Sequence, residues 1–242
     1  MRDLGGLPVA GGGSIRPGAL IRSDSLDRLD PDGLLAFAEH ATSHEVSLIL
    51  DLRSPAEAGR PHPFVDDPRY RLVPMIDPRL RGVGPEGRGA GETQRGRDRS
   101  TERTLGMIYS SSLDRNARCI VDGVIAIADA PPGGVVVHCA VGKDRTGMIV
   151  ALILSALGVP DEDIAQDYEL SAECLRQEFD EVIASLDAWE RARIVERMSS
   201  RRETILEMLA HARAHYGSAE GYLLAHGLGS DRLRRLRDRM VD

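Results

Sequence analysis

A cysteine and an arginine six residues apart follow a short β-branched run in this 242-residue chain. The segment reads Val135-Val136-Val137-His138-Cys139-Ala140-Val141-Gly142-Lys143-Asp144-Arg145-Thr146-Gly147, and an apolar helical stretch comes after it. This pattern predicts a buried strand, a tight loop and a helix, with the loop N–H groups converging at the helix N-terminus. Such a point binds an anion, and a thiol beside it tends to ionise. The chemistry expected there is cleavage of a phosphate ester through a cysteinyl-phosphate.

Residues 139–145, termed the cysteine loop, divide the predicted chemistry among them. Cys139 is the predicted nucleophile, and Arg145 is predicted to hold two phosphoryl oxygens with its planar fork. His138 is expected to orient the loop, and Thr146 to donate its hydroxyl toward the sulfur, which helps the thiolate to leave. The predicted phosphate-binding residues are Ala140, Val141, Gly142, Lys143, Asp144 and Arg145.

The two other cysteines lack this pattern. Six positions after Cys119 stands Ile125, and six positions after Cys174 stands Asp180. A buried core cysteine is the competing interpretation of Cys139. It accounts for neither the preceding strand nor the glycines and the apolar helix that follow.

Lys143 is the single lysine among 31 lysine and arginine residues. A chain this biased toward arginine places its only ammonium inside the cysteine loop. The compact charge of lysine differs from the planar fork of arginine. We therefore expect Lys143 to add positive charge at the mouth of the site and to favour multiply charged phosphates such as phosphoinositides.

Composition excludes several classes of function. A net charge of −7 and a pI of about 5.6 argue against nucleic-acid binding. Three scattered cysteines are too few for a disulfide framework or a metal cluster, and no metal or cofactor is expected. The N-terminus shows no signal peptide, and the longest apolar run, Met148 to Leu157, is too short to span a membrane. We expect a cytoplasmic protein; signal-peptide-independent secretion and the oligomeric state stay open.

Strands alternate with helices in the first two thirds of the chain, and the last third reads as helical. This order predicts an α/β fold with a central, mostly parallel sheet flanked by helices, in a single domain over residues 1–242. Residues 78–103 are predicted to form a flexible basic loop, since seven arginines and six glycines lie between Arg79 and Arg103 with only four acidic residues. Such a loop either steers anionic substrates or is a solvated linker.

The segment from His138 to Gly147 resembles the signature loop of the cysteine-dependent tyrosine/serine phosphatases of bacteria. Other blocks resemble the family in the same order along the chain: Arg2-Asp3-Leu4-Gly5-Gly6, Arg16-Pro17-Gly18, Arg22-Ser23, Asp51-Leu52-Arg53-Ser54, Glu57, Asp167-Tyr168-Glu169-Leu170-Ser171 and Tyr216-Gly217-Ser218. The resemblance implies a protein tyrosine phosphatase-like fold and a metal-free two-step mechanism. It also implies a phosphoprotein or phosphoinositide substrate, and a helical lid at about residues 187–217.

A general acid must protonate the leaving oxygen, and two aspartates compete for this role. Asp77 follows a predicted strand, opens the basic loop and matches an aspartate similarly placed in the family. Asp144 lies inside the cysteine loop itself. Asp77 is slightly favoured as the acid; the alternatives are a turn aspartate at Asp77 and a structural brace for Lys143 or the loop at Asp144.

Two other functions compete with phosphomonoester hydrolysis. A non-catalytic module could use the loop only to bind a phosphorylated ligand, but Cys139, Arg145 and an available acid are all present. A sulfur-transfer enzyme of the rhodanese kind also uses a loop cysteine. The run from Gly142 to Gly147 and the dedicated Arg145 argue against it.

Overall fold

Five strands form one sheet in the part of the chain that the computed structural model describes, which is residues 1–57, 62–77, 79, 104–184, 186–187, 191, 195 and 198–242. The sheet order is β1-β2-β5-β3-β4; β1 is antiparallel to β2 and the other neighbours are parallel. The strands are β1 (Arg2–Asp3), β2 (Leu20–Ser23), β3 (Leu48–Asp51), β4 (Tyr70–Leu72) and β5 (Val135–His138). The predicted mostly parallel sheet is therefore confirmed.

Helices cover both faces of this sheet. Their bounds are α1 (Pro31–Ser43), α2 (Leu105–Arg115), α3 (Ala117–Ala128), α4 (Asp144–Leu157), α5 (Asp161–Cys174), α6 (Arg176–Ala184), α7 (Arg202–Tyr216), α8 (Ala219–Ala225) and α9 (Ser230–Met240). No helix within the described ranges combines the length and the apolar character that crossing a bilayer requires.

The alternation of side chains along the strands divides the core into two layers. Val136 and Ile49 pack with Phe37 of α1 on one face. Val135 and Val137 pack on the other face, in the larger cluster that α2, α3, α4, α5 and α7 complete. The three valines of β5 are fully buried. A strand covered on both faces reads as a continuous apolar run, which is why this one was visible in the sequence.

Strand register brings chemically active residues to one edge. His138 lies opposite Ser23 of β2 and Asp51 of β3, and each is the last residue of its strand. Because the parallel strands end at the same edge, the segments that follow them meet there. The cysteine loop, Asp24 and Arg53 all come from these segments.

The structure describes almost none of the predicted basic loop and part of the predicted lid. Of the basic loop at 78–103, only Arg79 belongs to the described residues. Of the lid predicted at about 187–217, residues 202–216 form α7. Its buried residues Ile205, Met208 and Leu209 lie in the main core, and the helix packs against α2 and α5. The lid at about residues 187–217 stays a prediction.

Candidate active site

The cysteine loop connects β5 to α4, as the sequence predicts. Cys139 follows the last residue of β5 and is 1% exposed, and α4 begins at Asp144. Gly142 has a φ of +66°, and a Cβ there would lie 2.4 Å from the carbonyl oxygen of Ser23. Only glycine lets the loop pass this close to the end of β2.

Arg145 on the first turn of α4 is a cation that interacts electrostatically with the Cys139 thiol. Burial alone would lower the pKa of Arg145, but the nearby Cys139 and the hydrogen bonds to Glu57 raise it, and Asp144 acts in the same direction. The Arg145 side chain is 14% exposed. The thiol, the guanidinium and the Asp144 carboxyl group thus belong to one electrostatic site.

Glu57 holds the guanidinium of Arg145 in place. The Arg145 amino groups Nη1 and Nη2 donate to Oε2 and Oε1 of Glu57 at 2.9 and 2.8 Å. The backbone N–H and the hydroxyl of Ser54 also donate to Oε2. Burial would raise the pKa of Glu57, but these hydrogen bonds and the Arg145 charge lower it to about 2. Glu57 is therefore an anion throughout the neutral range and fixes the orientation of the fork.

Arg22 supports the cysteine loop from the opposite side. Its Nη2 donates to the carbonyl of Gly142 at 2.8 Å and to Ser171 Oγ at 3.0 Å. Its Nη1 donates to Asp167 Oδ2 at 2.6 Å, and Arg2 binds the same carboxylate through Oδ1. In the sequence, these residues stand out only as blocks that resemble a family. Their common role depends on contacts between distant parts of the chain.

Lys143 does not stand at the mouth of the site, contrary to the sequence-based expectation. The side chain is 2% exposed, and its Nζ donates to Asp144 Oδ1 at 2.8 Å and to the carbonyl of Ser199 at 3.1 Å. A buried ammonium needs such acceptors. Lys143 therefore joins the cysteine loop to the segment that precedes α7.

Asp77 lies in a different setting from Asp144. Its backbone N–H donates to Asn116 Oδ1 at 3.0 Å, and its carboxylate accepts four hydrogen bonds from three N–H groups of Arg79. These bonds lower the pKa of Asp77 to about 2. The thiol near Asp77 is that of Cys119. Burial raises the pKa of Cys119, and the charge of Asp77 acts in the same direction. Asp144 thus acts on Arg145, whereas Asp77 is held by Arg79 and by Asn116.

His138 and Thr146 flank the loop. The His138 ring nitrogen Nδ1 lies 3.2 Å from the carbonyl oxygen of Cys139, and since the carbonyl can only accept, Nδ1 carries the proton. Thr146 is fully buried, and its Oγ1 has no hydrogen-bond partner among the described residues. The predicted hydrogen bond from Thr146 to the sulfur is not formed in this structure.

A buried cluster of Asp51, His62 and His138 lies behind the cysteine loop, with one potential metal-ligand atom from each residue within 4.8 Å of the others. The Asp51 carboxylate already accepts hydrogen bonds from Arg53 and from the Tyr70 hydroxyl. The Arg53 guanidinium also places a positive charge beside the cluster. This donor set does not suit a metal ion.

His62 in this cluster makes the stability of the fold depend on pH. The ring stacks on Tyr70 and on His138 and is 3% exposed, and its Nε2 has no partner among the described residues. Burial, followed by the charge of His138, lowers the pKa of His62 to about 4, and Asp51 opposes this shift. In an unfolded chain the pKa is about 6.5. The unfolded state therefore binds more protons below neutral pH, and stability falls as the pH falls.

We expect His62 to remove about 2 kcal/mol of stability between pH 7.5 and pH 5. Urea unfolding of the wild type and of His62→Phe at both pH values measures this. The variant should lose less stability on acidification than the wild type. His215→Gln, a change at an exposed histidine, is the control and should lose as much stability on acidification as the wild type. An equal loss in wild type and His62→Phe would contradict the assignment.

The sheet order and the loop between β5 and α4 define a protein tyrosine phosphatase-like α/β fold. A sequence model described as "Tyrosine phosphatase family" matches residues 1–242, and the chain belongs to that family. The triple specificity protein phosphatase PtpB of Mycobacterium tuberculosis is 30% identical over 267 residues, covering 93% of this chain and 91% of PtpB. A tyrosine-protein phosphatase of Nostoc commune is 28% identical over 244 residues, covering 96% of this chain and 78% of that protein. The protein is a phosphoric monoester hydrolase.

Proposed function

We propose that this protein hydrolyses phosphotyrosine in proteins through a cysteinyl-phosphate on Cys139. The observation that supports this most is the Arg145 guanidinium, which Glu57 orients through two hydrogen bonds and which interacts electrostatically with the Cys139 thiol. Cys139 is 1% exposed. A phenyl ring carries its phosphate further from a peptide backbone than a serine side chain does, so a recessed thiol favours a tyrosine ester.

In the first proposed step, the Cys139 thiolate attacks phosphorus and the ester P–O bond breaks. Arg145 binds the phosphoryl oxygens with the N–H groups that are not bonded to Glu57. This interaction is strongest in the transition state. Asp144 gives its proton to the leaving oxygen. In the second step, water attacks the phosphocysteine, Asp144 takes a proton from that water, and inorganic phosphate and the Cys139 thiolate are released.

The test of this function is a substrate panel in the presence of EDTA, with phosphotyrosine peptide, phosphoserine peptide and a soluble phosphoinositide. Rapid quench and intact-mass measurement should find one phosphoryl group on the peptide that contains Cys139. Turnover of phosphotyrosine with this adduct supports the proposal. Binding of the peptide without turnover would favour a non-catalytic module. A clear preference for phosphoserine or phosphoinositide would overturn the proposed substrate but not the mechanism.

We propose Asp144 rather than Asp77 as the general acid. Asp144 is the first residue of α4 and acts on Arg145, the cation that also interacts electrostatically with Cys139. Asp77 is bound by Arg79, and its pKa of about 2 keeps it ionised at neutral pH. Both oxygens of the Asp77 carboxylate accept hydrogen bonds from Arg79, whereas Oδ2 of Asp144 has no donor among the described residues and can carry the proton for the leaving oxygen.

Comparing two asparagine variants tests this assignment. Asp144→Asn should slow phenyl phosphate hydrolysis about 10²-fold, because phenolate is a poor leaving group that needs a proton. It should slow 2,4-dinitrophenyl phosphate only a few-fold. Asp77→Asn should leave both rates close to wild type. A loss confined to phenyl phosphate in Asp77→Asn would instead identify Asp77 as the acid.

A further inference from the structure

Two buried phenols meet the proposed acid at the start of α4. Tyr109 on α2 is 3% exposed, and Tyr168 on α5 is 1% exposed. The Tyr109 hydroxyl lies 2.5 Å from Asp144 Oδ1, and the two phenol oxygens lie 2.8 Å apart. The acid is thus linked by hydrogen bonds to two helices that lie outside the cysteine loop.

The direction of these hydrogen bonds follows from the number of protons. A phenol has one proton, and Tyr109 donates it to the Asp144 carboxylate. The contact between the phenols therefore requires Tyr168 to donate to Tyr109. Burial, with the Asp144 charge next, raises the pKa of Tyr109 well above its usual value, and burial likewise raises the pKa of Tyr168. Both groups stay protonated, and the chain of donors runs from Tyr168 through Tyr109 to Asp144.

Both donors to Asp144 meet the same oxygen. Tyr109 and Lys143 converge on Oδ1, and within the described ranges no group donates to Oδ2. Two donors on one oxygen restrict the rotation of the carboxyl group about its side-chain bonds. Oδ2 is then the oxygen that can carry a transferable proton. The Asp144 side chain is 38% exposed, so packing alone does not fix it.

The backbone of α4 makes room for this arrangement. A Cβ on Gly147 would lie 2.9 Å from two ring carbons of Tyr168. The absence of a side chain at this position lets the Tyr168 ring lie against the first turn of α4. The two rings meet edge to face, with centroids 6.2 Å apart. The phenols therefore reach the acid because a glycine stands one turn after it.

We infer that Tyr109, supported by Tyr168, is a positioning residue that holds the Asp144 carboxyl group in the orientation for proton transfer. This inference rests on the proposed role of Asp144 as the general acid. Tyr109 does not touch the substrate in this scheme and acts through Asp144. Its effect is therefore largest where the leaving group needs a proton.

The primary test is the leaving-group dependence of Tyr109→Phe. The variant should lower kcat/KM about tenfold for phenyl phosphate, because misorientation of a catalytic group by a fraction of an ångström is costly. It should lower kcat/KM by no more than about twofold for 2,4-dinitrophenyl phosphate, whose leaving group departs without a proton. Tyr168→Phe keeps the bond from Tyr109 to Asp144 and should show a smaller loss, confined to phenyl phosphate.

Tyr222→Phe is the matched control. Tyr222 is a fully buried tyrosine whose hydroxyl donates to the carbonyl of Leu113 at 2.9 Å, so the variant also removes one buried phenol hydrogen bond. It should change both substrates equally. A selective loss for phenyl phosphate in Tyr222→Phe, or an equal loss for both substrates in Tyr109→Phe and Tyr168→Phe, would overturn the inference.

A double variant tests the positioning role of Tyr109 separately from the proposed role of Asp144 as the acid. If Tyr109 acts through Asp144, adding Tyr109→Phe to Asp144→Asn should cause no further loss with phenyl phosphate. A full further tenfold loss would overturn the positioning role while leaving Asp144 as the acid. If Asp144→Asn itself shows no leaving-group dependence, the proposed acid fails and the positioning role fails with it. Phosphotyrosine hydrolysis through Cys139 would stand in both cases.

Discussion

Cys139→Ser should lose phosphate hydrolysis by roughly 10⁴-fold or more. A serine hydroxyl is almost fully protonated at neutral pH, so it is a far weaker nucleophile than a thiolate. Phosphate should still bind, because Arg145 and the loop backbone are unchanged. The measurements are initial rates with p-nitrophenyl phosphate and isothermal titration with inorganic phosphate.

The other two cysteines provide the controls for this change. Cys119 on α3 is partly buried, and Cys174 at the end of α5 is exposed. Cys119→Ser and Cys174→Ser should retain nearly full activity. Residual hydrolysis by Cys139→Ser at even one tenth of the wild-type rate would remove the cysteinyl-phosphate from the mechanism.

The central strand and the helix after it could be predicted closely from the sequence. The β-branched run lies in β5 (Val135–His138), and the apolar stretch after the loop lies in α4 (Asp144–Leu157). Both are buried on every side, so an unbroken apolar run is the pattern that such elements leave. Their order also predicts the loop between them, which is why the cysteine site was visible before any tertiary contact was known.

The boundary between α5 and α6 could not be read in the same way. α5 runs from Asp161 through Asp167 and Ser171 to Cys174 without a break. Asp167 and Ser171 are buried polar residues that both bind Arg22. Their polarity interrupts the apolar period of the helix. Only the arginine from β2 explains why they face inward.

The choice of acid and the position of Lys143 depended on tertiary contacts as well. Arg79 stands two residues after Asp77, but the sequence does not show that its side chain turns back onto that carboxylate. The carbonyl of Ser199, which accepts from Lys143, is 56 residues away along the chain. Residue types and local spacing indicated the chemistry of the loop, and long-range packing decides which carboxyl group serves it.

Arg145→Lys should lower kcat about 10²- to 10³-fold, although the positive charge is retained. Lysine offers a point charge on a flexible stem and cannot bridge Glu57 and two phosphoryl oxygens in one plane. Stopped-flow rates with p-nitrophenyl phosphate measure the loss. Because Glu57 only orients the fork, Glu57→Gln should cost about tenfold, and adding it to Arg145→Lys should cost little more. Near wild-type turnover by Arg145→Lys would show that charge alone suffices and that the fork held by Glu57 has no part in the transition state.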